Sequence, residues 1–128
     1  MDKKILLVAA FLGVTAIILG AFGAHGLKKV LSMEQLATFE VGVRYQMYHA
    51  LFLLFVGTFA FLGEKERTII FYLTITGVLF FSGSIYFLAT NTITNLKTKF
   101  LGPITPIGGL FLVAAWAYLF YTVLSKKQ

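Results

Sequence analysis

Among the polar side chains between positions 25 and 49 of a mostly apolar chain, seven could act together: His25, Glu40, Arg44, Tyr45, Gln46, Tyr48 and His49. On a helix, Glu40 and Arg44 stand four residues apart, the favourable orientation for an ion pair, and Tyr45 and His49 have the same spacing. Measured from Glu40, Arg44, Tyr45, Tyr48 and His49 fall within about half a circle, leaving Val43, Met47 and Ala50 on the oily remainder. Three chemistries are open to such a group. It forms a polar entrance for a small solute, proton or lipid; it relays protons through His49; or His25 and His49 hold a haem or, with Glu40, a metal ion. The plainer expectation is that paired charges and tyrosines mark the membrane interface, with no resident cofactor or metal.

Catalytic chemistry has little support. There is no phosphate-cradling glycine loop, no His-Glu-x-x-His and no arguable Ser/His/Asp set. Cysteine is absent altogether, which removes disulfides, thiolate ligands and thiol nucleophiles. Ser82-Gly83-Ser84 lies inside an apolar run, where hydroxyls bond to the preceding turn or to a neighbouring helix. The chain is not expected to be an enzyme, and no catalytic residue is assigned.

The elements that must position these residues are four apolar runs, 5–24, 45–62, 68–89 and 106–124. At 1.5 Å rise per residue each spans the roughly 30 Å hydrocarbon layer. With 59 % hydrophobic and 12 % charged residues, a soluble domain of 128 residues could not hide its Phe, Leu and Ile side chains. One membrane domain covering 1–128 is expected, folded as an all-α antiparallel bundle of four transmembrane helices. The net charge of +6 comes from lysines flanking the runs, at Lys3–Lys4, Lys28–Lys29, Lys97 with Lys99, and Lys126–Lys127. That placement fits snorkelling anchors and lipid headgroups, not nucleic acid. The first run resembles a signal peptide, but its length and its small-residue pattern favour an uncleaved helix.

That pattern is Ala9, Gly13, Ala16, Gly20 and Gly23, at alternating steps of four and three. Such a stripe lets two helix backbones approach closely in lipid, where no hydrophobic force drives association. Gly77 and Ser84, with Thr74 and Asn91, share one face with Phe81 and Leu88 and make a second small or polar stripe on the third run. Gly23 and Gly26 can end the first helix through a left-handed cap. Ser32 and Gln35 read as a capping box, and a helix from Met33 would exceed the bilayer thickness. Residues 33–44 are therefore expected as an amphipathic extension at the interface, bent near Gly42. Residues Thr90–Phe100 read as a loop. Around the last helix start, Pro103 precedes it, Thr105 suits the N-cap and Pro106 the first helical position.

Four motifs in order, Gly20-Ala21-Phe22-Gly23-Ala24-His25-Gly26-Leu27, Tyr45-Gln46-Met47-Tyr48-His49-Ala50-Leu51, Phe81-Ser82-Gly83-Ser84-Ile85-Tyr86 and Gly102-Pro103-Ile104-Thr105-Pro106-Ile107-Gly108-Gly109, give a resemblance over essentially the whole chain. It resembles domain-of-unknown-function family 423, small bacterial membrane proteins of the YgdD/YwdK type with mitochondrial transmembrane relatives in animals. The resemblance implies a multi-pass protein of the bacterial inner (plasma) membrane. It brings no activity or cofactor, and marks His25, Tyr45, Gln46, His49, Pro103 and Pro106 only as motif members.

The leading expectation is thus a multi-pass membrane protein working through helix packing, as a homo-oligomer or a small accessory subunit in contact with membrane lipids. Six basic residues against five give almost no orientation bias. The terminal lysine pairs favour both ends in the cytoplasm.

Overall fold

Ser32 starts the second long helix as its spacing to Gln35 requires. Its hydroxyl accepts from the Gln35 backbone N–H at 3.1 Å, and the Gln35 side chain accepts from the Ser32 N–H at 3.0 Å. The structure, a computed structural model, describes residues 2–94 and 99–126. Lys97 and Lys127 of the basic pairs lie outside the described residues. Four long helices follow one another: α1 (Asp2–His25), α2 (Met33–Thr58), α3 (Glu64–Ala89) and α4 (Ile104–Ser125). Among the described residues the rest is short turns, including 3-10 turns at Leu27–Lys29 and Lys99–Leu101 and one helical turn at Asn91–Thr94.

Among the described residues three helical stretches are long and apolar enough to cross a membrane: Lys3–Lys29, Glu64–Ala89 and Lys99–Ser125. α2 is as long but more polar, because it carries Glu34, Glu40, Arg44, Gln46 and His49. The outer faces of the other helices are oily. Phe11, Leu110, Phe120 and Leu124 are each more than 60 % exposed, a surface that water would not tolerate and lipid requires.

The five small residues of α1 face α2. A Cβ built on Gly13 would lie 3.9 Å from that of Ala50, one on Gly20 3.4 Å from Val43, and one on Gly23 3.2 Å from the Phe39 ring. Ala9 and Ala16 are buried in the same contact. The closest approach in the bundle lies elsewhere, between α3 and α4. A Cβ on Gly108 would run into the backbone of Phe80 and Phe81, and one on Gly77 would lie 2.6 Å from Leu112. Backbone meets backbone there.

Several local expectations are corrected. Gly26 has φ −72° and ψ −51°, so α1 ends in a right-handed turn, not a left-handed cap. α2 continues through Gly42 without a break, because a side chain there would lie 2.7 Å from the Tyr86 ring that fills the space. Within 33–44 the helix is two-faced as expected, with Phe39 packed in a cluster with Leu27, Leu31 and Ala89 while Glu34 and Thr38 are exposed. The apolar run expected to reach residue 62 leaves the helix at Thr58, since two cations cap its end. Arg67 donates to the Phe59 carbonyl at 2.8 Å and Lys126 to that of Phe61 at 2.9 Å. α4 begins at Ile104 with Pro103 at the N-cap position, and Thr105 caps nothing because its hydroxyl meets Ser84 at 2.5 Å. The segment read as a loop from Thr90 carries a helical turn at Asn91–Thr94 and a 3-10 turn from Lys99.

One end of the bundle is fastened by polar contacts. Lys126 pairs with Glu66 at 2.6 Å, Glu66 accepts from the Gly63 N–H at 2.6 Å, and Lys4 donates to the Tyr72 hydroxyl at 2.8 Å. These groups are partly exposed, so Glu66→Ala is expected to cost about 1 kcal/mol, mostly through loss of the cap. Thermal unfolding in detergent measures it, and a cost that vanishes in 1 M salt would assign it to the ion pair instead.

Candidate functional site

The seven polar residues singled out above are not one cluster. Glu40 and Arg44 form a surface pair at 3.7 Å, both about half exposed. Tyr48 is half exposed, with its ring edge against Tyr45. Gln46 turns inward, away from them. Its amide donates to the Leu12 carbonyl at 2.9 Å and the Thr15 hydroxyl at 2.7 Å, and its oxygen accepts from Tyr86 at 2.6 Å. One side chain therefore joins three helices.

His25 and His49 are not brought together. Gly13 of α1 is level with Ala50 of α2, and Gly23 with Phe39. His25 thus lies about 18 Å of helix rise from the level of His49. A shared haem or metal site has no support in this register. Among the described residues, no three His, Asp or Glu side chains are grouped to hold a metal ion.

Both nitrogens of His49 are engaged. The Trp116 indole N–H lies 3.1 Å from His49 Nε2, and His49 Nδ1 lies 2.7 Å from the Tyr45 carbonyl. An indole N–H only donates and a carbonyl only accepts, so Nε2 bears the lone pair and Nδ1 the proton. The imidazole is neutral and fully partnered. It braces α2 to α4.

That brace stands in an open-sided groove between α2 and α4. The groove has a volume of about 810 Å³, with Tyr45 and His49 on one wall, Phe81 at its floor, and α4 residues from Pro106 to Phe120 on the other wall. Phe81 reaches it because α3 widens into a π-helical turn at Leu79–Gly83. Such turns insert a residue and shift the helix phase. The phase shift breaks the expected stripe through Thr74, Phe81 and Leu88. Beyond Gly77, Val78, Ser82, Ser84, Ile85 and Ala89 are buried, so Ser84 keeps its place on the inner face while Phe81 and Leu88 are only partly buried. Ser82 donates to the Gly42 carbonyl at 2.8 Å, and Ser84 to that of Phe80 at 2.5 Å.

Trp116 and Thr15 were not among the residues expected at this site. A signal for the first existed. Pro106, Gly109, Val113, Trp116 and Phe120 recur at steps of three and four, a stripe along one face of α4. Phe81 was expected on the stripe of the third run, and its direction into the groove depends on the π turn. The groove lining carries no charged residue and exposes little polar surface, so it suits an apolar occupant.

No solved structure matches the chain. Among relatives, a UPF0382 membrane protein of Staphylococcus haemolyticus is 39 % identical over 117 residues, covering 91 % of this chain and 92 % of that one. The UPF0382 membrane protein YwdK of Bacillus subtilis is 38 % identical over 119 residues, covering 89 % and 90 %. A UPF0382 membrane protein of the yeast Schizosaccharomyces pombe is 38 % identical over 111 residues, covering 86 % and 92 %. The model of a protein family of unknown function, DUF423, matches residues 19–109. A helical chain with oily outer faces, matched by that model over most of its length and by membrane proteins of bacteria and yeast over nearly all of it, belongs to the DUF423 family.

Proposed function

We propose that all four helices cross the cell membrane, and that the chain works as a packing and binding module, as a homo-oligomer or as a small subunit of a larger membrane assembly. α2 is the central helix, with α1 on one side and α3 on the other. Its neighbours and internal bonds shield polar groups that a lipid-facing helix could not carry. Four antiparallel crossings place both ends on one side, in keeping with the contacts of Lys4 with Tyr72 and of Lys126 with Glu66. The flanking lysines favour the cytoplasmic side.

The observation that carries the reading is the use made of the interior polar groups. Gln46, Ser82, Ser84 and His49 each bond to a neighbouring helix. The buried Thr74 hydroxyl has no partner, but one oxygen is no conduction path. A channel through the bundle would need a continuous polar track. The small-residue face of α1 is occupied by α2, so any self-association uses another face, and the oily exterior of α4 is the largest.

Purified protein in sealed vesicles tests this. Proton and small-cation leak is expected to match protein-free vesicles within about twofold. A leak tenfold higher that disappears in His49→Ala would replace this reading with transport through the His49 region.

A further inference from the structure

We propose that the groove between α2 and α4 holds one hydrocarbon chain of a membrane phospholipid. This goes beyond the packing role and stands on separate observations. The first is polar satisfaction. The two strongest polar groups on the walls, the His49 imidazole and the Trp116 indole, bond to each other, and the remaining His49 nitrogen bonds to the Tyr45 carbonyl. Apart from the Tyr45 hydroxyl, the walls present no polar group in need of an occupant, so a chain of CH₂ groups forgoes few hydrogen bonds by entering.

The second is size. From Pro106 to Phe120 the groove follows α4 for about 21 Å of helix rise. With C–C bonds near 1.5 Å in a zigzag, roughly sixteen carbons span a similar length. A helix 10–12 Å across would fill about 1,600–2,400 Å³ over that distance, two to three times the groove's 810 Å³. The lining offers only a small part of the roughly 800 Å² that each partner gives to a stable protein interface. A second copy therefore fits the groove poorly, whereas a single extended chain matches its length and fits inside its volume with room to spare.

The third is rigidity. Phe81 sets the floor from a π-helical turn whose backbone is locked against Gly108, and Trp116 is held by His49 and by the Phe52 ring at 4.1 Å. A preformed slot orders a chain without first having to order its own walls.

Trp116 is the chain's single tryptophan, so tryptophan fluorescence reports on this groove and on the adjoining cleft lined by Leu119 and Val123, which the groove-filling variants below tell apart. The full chain is reconstituted with phosphatidylethanolamine and phosphatidylglycerol carrying bromine midway along one chain. It is then re-extracted and washed in detergent. The parent is expected to keep about one phospholipid per chain by mass and phosphorus, with Trp116 still quenched. Gly109→Leu, which fills the slot beside Phe81, is expected to retain at least fivefold less, at a melting temperature near the parent's. Val113→Phe serves if Gly109→Leu fails to fold, and Leu7→Phe on the outer face of α1 should retain as much as the parent. The proposal fails if the parent keeps no phospholipid, or if the filled variants keep as much as it does. It also fails if Trp116 is shielded from brominated chains while a second copy crosslinks across the groove.

Discussion

Gln46→Leu should lower stability by about 2–3 kcal/mol with little change in packing volume. Three bonds leave together: to Leu12, to Thr15 and from Tyr86. Interhelical hydrogen bonds in membranes are worth about 0.6 kcal/mol on average and up to about 1.7, so the set outweighs any single one. Leucine is close to glutamine in size, which keeps cavity formation out of the result. Thermal unfolding in detergent is the measurement, and Tyr86→Phe should cost about 1 kcal/mol by itself. A double-mutant cycle between positions 46 and 86 is then expected to show coupling of about 0.5 kcal/mol or more. If Gln46→Leu melts with the parent, the three-helix brace carries no stability, and the use of interior polar groups as struts loses its main support.

Gly108→Ala should be the more damaging of two small changes, the other being Gly13→Ala. At Gly108 the added carbon meets the backbone of Phe80 and Phe81. No rotamer can move backbone aside, so α3 and α4 must separate, at a cost of about 3 kcal/mol or above. At Gly13 the added carbon meets only the Ala50 methyl, at an ordinary 3.9 Å. Alanine there gains up to about 1 kcal/mol of helix propensity over glycine, and the variant should melt at or slightly above the parent. Reversal of this order, with Gly13→Ala the less stable protein, would mean that α1 and α2 form the tighter contact and that the α3–α4 register is wrong. Loss of the Gly108 contact also moves Phe81, so lipid retention in the groove should fall with it.

These two expectations concern residues that the sequence marked with different clarity. The α1 seam of Ala9, Gly13, Ala16, Gly20 and Gly23 is visible because one straight helix keeps one phase, and steps of three and four then map onto one face. Gly77 was legible for the same reason, since it precedes the π turn. Gly108 was not. Its importance depends on the height at which α4 passes α3, which no local spacing encodes. Gln46 was singled out for its polarity beside His49; the structure buries both on neighbouring lines of α2, Gln46 bonded to α1 and α3 and His49 to α4. Adjacent residues on a helix point 100° apart, and only the neighbours decide which of them is inside.

Taken by itself, the sequence determined that this is an all-helical membrane chain of the DUF423 kind, with breaks near 26–32 and 90–103, a joint after residue 62 that the structure moves to 59–63, and a close-packing face on α1. These are one-dimensional facts: the apolar length needed to cross lipid, the capping chemistry of Ser32 and the periodicity of small residues. Tertiary structure alone decided that His25 and His49 stand apart, that His49 is tied to Trp116 across 67 positions of chain, and that a groove lies between α2 and α4. Each of those depends on the vertical register and rotation of one helix against another. In lipid that register is set by backbone contact at glycines and by a few interhelical bonds, whose partners lie too far apart in the chain for any local pattern to pair them.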